Sequence, residues 1–242
     1  MKRLLIISVI LNLIFGLYVI KKIIGRYEIQ KQEKKKELIT YNQPEPVTYE
    51  LGLNEVFKFL PNDSNEIIFA GNSFTENFPL DELFKNPRIK NRGINGDITK
   101  GLLLRLNEII ESKPKKIFLE IGTNDILRNY AFDSVKMNYY EIIHKVKQET
   151  PSTKIYVQSL FPTSLNVWGT KRPAIENIKA FNKYLKNLSE KEEVEYIDLY
   201  SYFVEGDSLN PKYDSGDKIH LNGKGYLLWT EKIKKYIVAP QQ

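Results

Sequence analysis

The chain has 242 residues, 27% of them charged and 42% hydrophobic, with no cysteine and only two histidines, His144 and His220. Such a composition is globular and long enough for one sizeable core. It excludes a disulfide scaffold, a thiolate nucleophile and a Cys-ligated zinc, and two histidines leave little material for a histidine-rich metal site. The net charge of +6 is local: residues 1–36 hold nine basic and two acidic side chains, and the remainder holds 27 and 28. The body is therefore electrically balanced, which argues against a nucleic-acid partner.

Leu4 to Ile20 is an apolar run of 17 residues broken by Ser8, Asn12 and Gly16. As a helix rising ~1.5 Å per residue it covers ~25 Å. Lys21 and Lys22 can snorkel, and Ile23 and Ile24 extend the run toward a ~30 Å hydrocarbon core. No small-x-small cleavage site follows, so residues 1–24 are expected to be an uncleaved signal anchor in contact with membrane lipid. A cleaved secretion signal and a buried core helix are the alternatives. The positive-inside rule would favour a cytoplasmic C-terminus, but long domains translocate largely regardless of flanking charge, and the expectation is a membrane-anchored, single-pass protein with an extracytoplasmic domain. Residues 25–50, rich in Lys, Glu and Gln and then carrying Pro44 and Pro46, read as a charged stalk. Residues 51–242 read as the folded domain.

From Leu51 onward, short β-branched runs alternate with helical periodicity. Strands are predicted at Glu66–Ala70, Ile89–Arg92, Lys116–Ile121, Lys154–Ser159 and Val194–Leu199, continuous enough to be buried on both faces. Helices are predicted from a Thr99 cap to about Glu111, and near Ser134–Glu149, Pro173–Glu190 and Gly223–Ile237. Strand–helix alternation predicts a parallel sheet between two helical layers, an αβα sandwich. Functional residues of such sheets collect in the loops after the strands' carboxyl ends. No dinucleotide fingerprint or P-loop is present.

The first strand runs into Gly71-Asn72-Ser73-Phe74-Thr75. Ser73, at a strand-to-helix turn, can be an exposed nucleophile, or simply a helix cap. The second runs into Asn91-Arg92-Gly93-Ile94-Asn95-Gly96-Asp97, where Gly93 can bring a backbone N–H to a ligand or merely satisfy a turn. The third runs into Gly122-Thr123-Asn124-Asp125. Asn124 can lend an oxyanion hole its amide, or it and Asp125 can make an Asx-turn. Near the C-terminus, Asp217 precedes His220 by three residues, close enough for the carboxylate to hold one ring nitrogen while the other takes a serine proton. His220 also suits a cap or a core position. His144 lies mid-helix with no acidic partner nearby in sequence.

Together the four blocks GNSFT, NRGINGD, GTND and DKIH match in type, order and spacing the SGNH hydrolases, the GDSL-type esterases and lipases. The likeness extends from about Leu51 to Ile237, and DKIHLNGKGY most resembles the subgroup related to platelet-activating-factor acetylhydrolase catalytic subunits. The resemblance implies a flavodoxin-like SGNH fold with a five-stranded parallel sheet. It further implies a Ser73–His220–Asp217 triad, an oxyanion hole from the Ser73 and Gly93 N–H groups and the Asn124 side chain, and no metal or cofactor. Asn72 stands where the family has Asp, a position that supports the nucleophile loop. Asn72 and, in the loop Thr163–Arg172, Trp168 are candidate substrate contacts, the tryptophan as a sugar-stacking platform or as a surface residue packed on the next helix. The expected activity is hydrolysis of small acyl esters, acetyl above all, on a carbohydrate or cell-envelope glycan. An O-acetyltransferase with the same residues is the alternative, followed by a non-catalytic, membrane-tethered binding module.

Overall fold

The computed structural model describes residues 63–237, with short pieces at 21–22, 55–57 and 59–60. The expected anchor Leu4 to Ile20 and most of the stalk lie outside the described residues. Among the described residues no helix is long and apolar enough to cross a membrane.

In chain order the elements are β1 (Ile67–Gly71), α1 (Ser73–Glu76), α2 (Leu80–Phe84), β2 (Ile89–Gly93), α3 (Thr99–Leu104), α4 (Leu106–Ile110), β3 (Lys116–Glu120), α5 (Thr123–Leu127), α6 (Phe132–Glu149), β4 (Lys154–Gln158), α7 (Ala174–Lys191), β5 (Glu195–Ile197), α8 (Tyr200–Phe203), a hairpin of β6 (Val204–Glu205) and β7 (Ser208–Leu209), and α9 (Gly223–Ile237). β1 to β5 form one parallel sheet in the order β2-β1-β3-β4-β5. The expected αβα sandwich with five parallel strands is what the chain builds.

Strand periodicity explains the layers. Successive side chains point to opposite faces of a strand. Ile68, Ala70, Ile117, Leu119, Ile155 and Val157 therefore join one core, filled by Leu102, Leu106, Ile142 and Phe181 from α3, α4, α6 and α7. Ile67, Phe69, Phe118 and Tyr156 join the other, filled by Phe74, Leu80, Trp229 and Ile233 from α1, α2 and α9. Phe69 stacks on Phe118 at 4.6 Å between centroids, and Phe118 on Tyr156 at 4.5 Å, an aromatic ladder across three adjacent strands.

The predicted helix from Thr99 to Glu111 is two pieces. Its backbone leaves helical geometry at Arg105 (φ −95°, ψ 6°). Arg105 is only 4% exposed, and it turns inward to Asp97 Oδ2 (Nε 2.9 Å, Nη2 2.8 Å) and to Gly71 O (3.2 Å). Thr99 is not the cap either. Ile98 occupies that position, and the Thr99 hydroxyl donates to Asp125 Oδ1 at 2.6 Å.

Candidate active site

The loops after β1, β2 and β3 and the segment before α9 meet beyond the strands' carboxyl ends. Asn72 caps α1, its side-chain oxygen accepting from Phe74 N–H at 3.0 Å. It is fully buried, so it holds the turn, and the substrate contact expected of it is not available to it. Asparagine supplies the acceptor a cap needs without burying a charge.

The Ser73 hydroxyl lies 2.8 Å from His220 Nε2, and His220 Nδ1 lies 2.5 Å from Asp217 Oδ2. A carboxylate only accepts, so the ring proton belongs on Nδ1, leaving the Nε2 lone pair facing the hydroxyl. Asp217 is fixed by local turns: its Oδ1 accepts from the N–H groups of Ile219 (3.0 Å) and His220 (2.8 Å). Lys218, which follows Asp217, sits at φ 70°, and its carbonyl accepts from Thr163 Oγ1 (2.8 Å) and Ser164 N–H (2.9 Å), pinning this segment to the loop after β4. Burial pushes the Asp217 carboxyl up, but the hydrogen bonds from His220 and Ile219 outweigh it and hold it down at about 2. The aspartate is ionised across the neutral range and keeps the imidazole oriented. His144, on α6, pairs with Gln148 and takes no part.

Gly93 does not fill the role expected of it. Its N–H is spent on Asn91 Oδ1 at 2.9 Å, while Asn91 Nδ2 donates to the carbonyls of Thr75, Glu76 and Phe78. A Cβ on Gly93 would stand 2.1 Å from Glu76 N, so this glycine lets β2 approach α1. Gly96 is different. It adopts φ +79°, a conformation glycine accepts without strain, and its N–H has no partner among the described residues. The next residue, Asp97, gives its carbonyl to Asn124 Nδ2 at 2.9 Å. That bond uses one of the two amide hydrogens of Asn124 and brings Asn124 beside Gly96. The Asn95-Gly96 dipeptide, a turn signal demanding positive φ, is the feature that could have identified it.

Beneath these donors lies the buried Asp97–Arg105 pair, and Asp125 accepts from Thr99 N–H (3.1 Å) and its hydroxyl. Burial pushes Asp125 up to about 7 against those hydrogen bonds. Glu120, the last residue of β3, is buried with neither carboxyl oxygen partnered among the described residues, and burial drives it from its ordinary 4.5 to about 8. Between those values it is protonated when folded and ionised when unfolded. Unfolding therefore releases a proton, and stability falls as pH rises from about 4.5 to 8. Urea unfolding at pH 5 and pH 8 should show Glu120→Gln losing less stability over this interval than wild type; identical losses would contradict the assignment.

Trp168 is more than half exposed. Its backbone N–H donates to Leu127 O at 2.8 Å, and the Arg128 guanidinium lies 6.0 Å from its ring centroid. The loop Thr163–Arg172 thus runs from the Asp217–His220 segment to the end of α5.

Residues 70–228 match the GDSL-like Lipase/Acylhydrolase family model. A GDSL-like lipase from Bacteroides thetaiotaomicron superposes with a TM-score of 0.70 at 25% identity, covering 78% of this chain and 97% of its own. A Streptococcus pneumonia protein described as a platelet activating factor superposes at 0.69 and 25% identity, covering 88% and 99%. An acetylxylan esterase from Geobacillus stearothermophilus, in the form of a catalytic mutant, shares the fold at 0.58 and 17% identity, covering 73% and 95%. No curated protein matches this chain. With well over half of its residues matched by the family model, the chain belongs to the GDSL-like Lipase/Acylhydrolase family, the SGNH hydrolases, and is a carboxylic ester hydrolase.

Proposed function

We propose that the protein is a serine esterase that removes small acyl groups, acetyl above all, from a carbohydrate or cell-envelope glycan. The observation that carries the reading is the continuous relay from the Ser73 hydroxyl through both ring nitrogens of His220 to Asp217. Ser73 Oγ attacks the ester carbonyl carbon as His220 Nε2 takes its proton, and the imidazolium is balanced by Asp217. The carbonyl oxygen becomes an oxyanion, received by the N–H groups of Ser73 and Gly96 and by the second amide hydrogen of Asn124. The bond to the alcohol then breaks and His220 returns the proton to the departing oxygen. Water repeats the sequence on the acyl-serine, releasing the carboxylic acid and restoring the Ser73 hydroxyl. Acetyl as the acyl group is supported by the acetylxylan esterase among the structural relatives. A membrane anchor at Leu4 to Ile20 and an extracytoplasmic placement complete the proposal on sequence grounds alone.

The test is turnover of 4-nitrophenyl esters of increasing chain length by the purified chain, with acetate expected to be the best. Loss of one oxyanion donor typically lowers kcat by ~10²–10³, and Asn124→Ala is expected to do so with KM little changed. Wild-type rates in that variant would contradict the oxyanion assignment, and no turnover of any ester by the wild-type chain would contradict the proposal.

A further inference from the structure

The relay and the oxyanion donors do not account for the cation that stands beside them. Arg128 follows α5, the helix that carries Asn124, and its backbone N–H bonds Asn124 O at 2.9 Å. Its Nη2 lies 3.4 Å from the position a Cβ on Gly96 would take, so the guanidinium flanks Gly96 itself. It is half-buried and has no carboxylate within ion-pair distance among the described residues. Its field reaches Asp97, which lies fully buried and already holds Arg105 at 2.8 Å. The carboxylate of Glu76 accepts from Asn95 N–H, in the same turn as Gly96. The positive charge of Arg128 is thus not consumed by the protein.

Its surroundings suit a ligand. The exposed Trp168 ring flanks the guanidinium, and Arg172 stands next to the pair, donating to Asn129 Oδ1 at 2.7 Å. A planar fork of N–H donors matches a carboxylate, and an exposed indole offers a flat face to a sugar ring. Arg128 flanks the Gly96 turn and Trp168 flanks Arg128, so the pair adjoins the turn that would hold the ester carbonyl of a bound sugar.

We propose that Arg128, with Trp168 as the stacking face, is a specificity-determining residue that binds the carboxylate of an acylated acidic sugar, so that the preferred substrates are O-acetyl esters of uronic-acid-type residues. This inference rests on the esterase reading above. It assigns no chemical step to Arg128. The guanidinium contributes to substrate binding in ground and transition states alike, so its effect falls on KM more than on kcat.

The experiment compares three probes with the purified full chain: an O-acetylated methyl glucuronoside, the same compound with its carboxylate converted to a methyl ester, and 4-nitrophenyl acetate. A charge-assisted hydrogen-bonded pair is expected to favour the free acid in kcat/KM by about tenfold or more, carried by KM. Masking the carboxylate removes that advantage without altering the protein, so the result does not depend on a variant's folding. Arg128→Gln is expected to bring the acid-to-ester ratio close to one, and Arg128→Lys to retain part of it, since the charge survives and the fork does not. Equal kcat/KM for acid and methyl ester in wild type, or a ratio unchanged in Arg128→Gln, would overturn the proposal while leaving the esterase reading intact. Failure of wild type to turn over any of the three probes would overturn both.

Discussion

Ser73→Ala is expected to lower kcat on 4-nitrophenyl acetate by roughly 10⁴–10⁶ while leaving the fold unchanged. The size follows from the geometry: without the hydroxyl there is nothing for His220 Nε2 to deprotonate at 2.8 Å, and only oxyanion stabilisation and binding remain. The fold should tolerate the change because Asn72, not Ser73, caps α1, and removing one small hydroxyl opens no sizeable cavity. Steady-state kinetics beside a urea unfolding curve read both quantities. A variant within tenfold of wild type would mean that another group attacks the ester, and an inactive variant that has also unfolded would mean that Ser73 is structural.

The second large effect falls on stability. Arg105→Ala leaves the Asp97 carboxylate fully buried without its counter-ion and also removes the donor to Gly71 O. Breaking a buried pair in this way costs about 3–5 kcal/mol, to be read from the urea midpoint at constant m-value. Burial already pushes the Asp97 carboxyl up and Arg105 pulls it back down; without the arginine the group is driven toward its neutral form. The double variant Asp97→Asn with Arg105→Met should recover part of the loss, because no uncompensated charge is left inside. Arg105→Ala is also expected to weaken catalysis, since Asp97 is the residue whose backbone joins Gly96 to Asn124. A stability equal to wild type would show that the pair does not support the turn.

The layered fold was legible because strand and helix periods are local properties of the chain: the runs IIFAG, KIFLE and KIYVQ alternate their side chains between two cores at the positions their period requires. Asp217 and His220 were legible for the same reason, since three residues of separation let a single turn join them. Gly93 and Gly96 could not be separated on that basis. Gly93 ends the second strand and Gly96 lies three residues beyond it; the Asn95-Gly96 turn signal marks the second, but that the first is no donor shows only in its contacts: Asn91, two residues back, takes its amide, and Glu76 occupies the space beside its Cα. The Asp97–Arg105 pair was hidden because a charged residue within an apolar helical pattern reads as solvent-facing. Its guanidinium instead reaches across to β1, interrupting the predicted helix where it does so. Asn72 was half legible: its position next to Ser73 pointed to a supporting role, but its complete burial depends on the packing around the loop.

Attack by Ser73 is read by covalent labelling of its hydroxyl. The purified chain is treated with a fluorophosphonate, digested, and mapped by mass spectrometry. A single phosphonylated peptide is expected, with the adduct on Ser73, lost when His220 is replaced by alanine because the hydroxyl then has no base. An unlabelled protein that still hydrolyses 4-nitrophenyl acetate, or an adduct on any other residue, would contradict it.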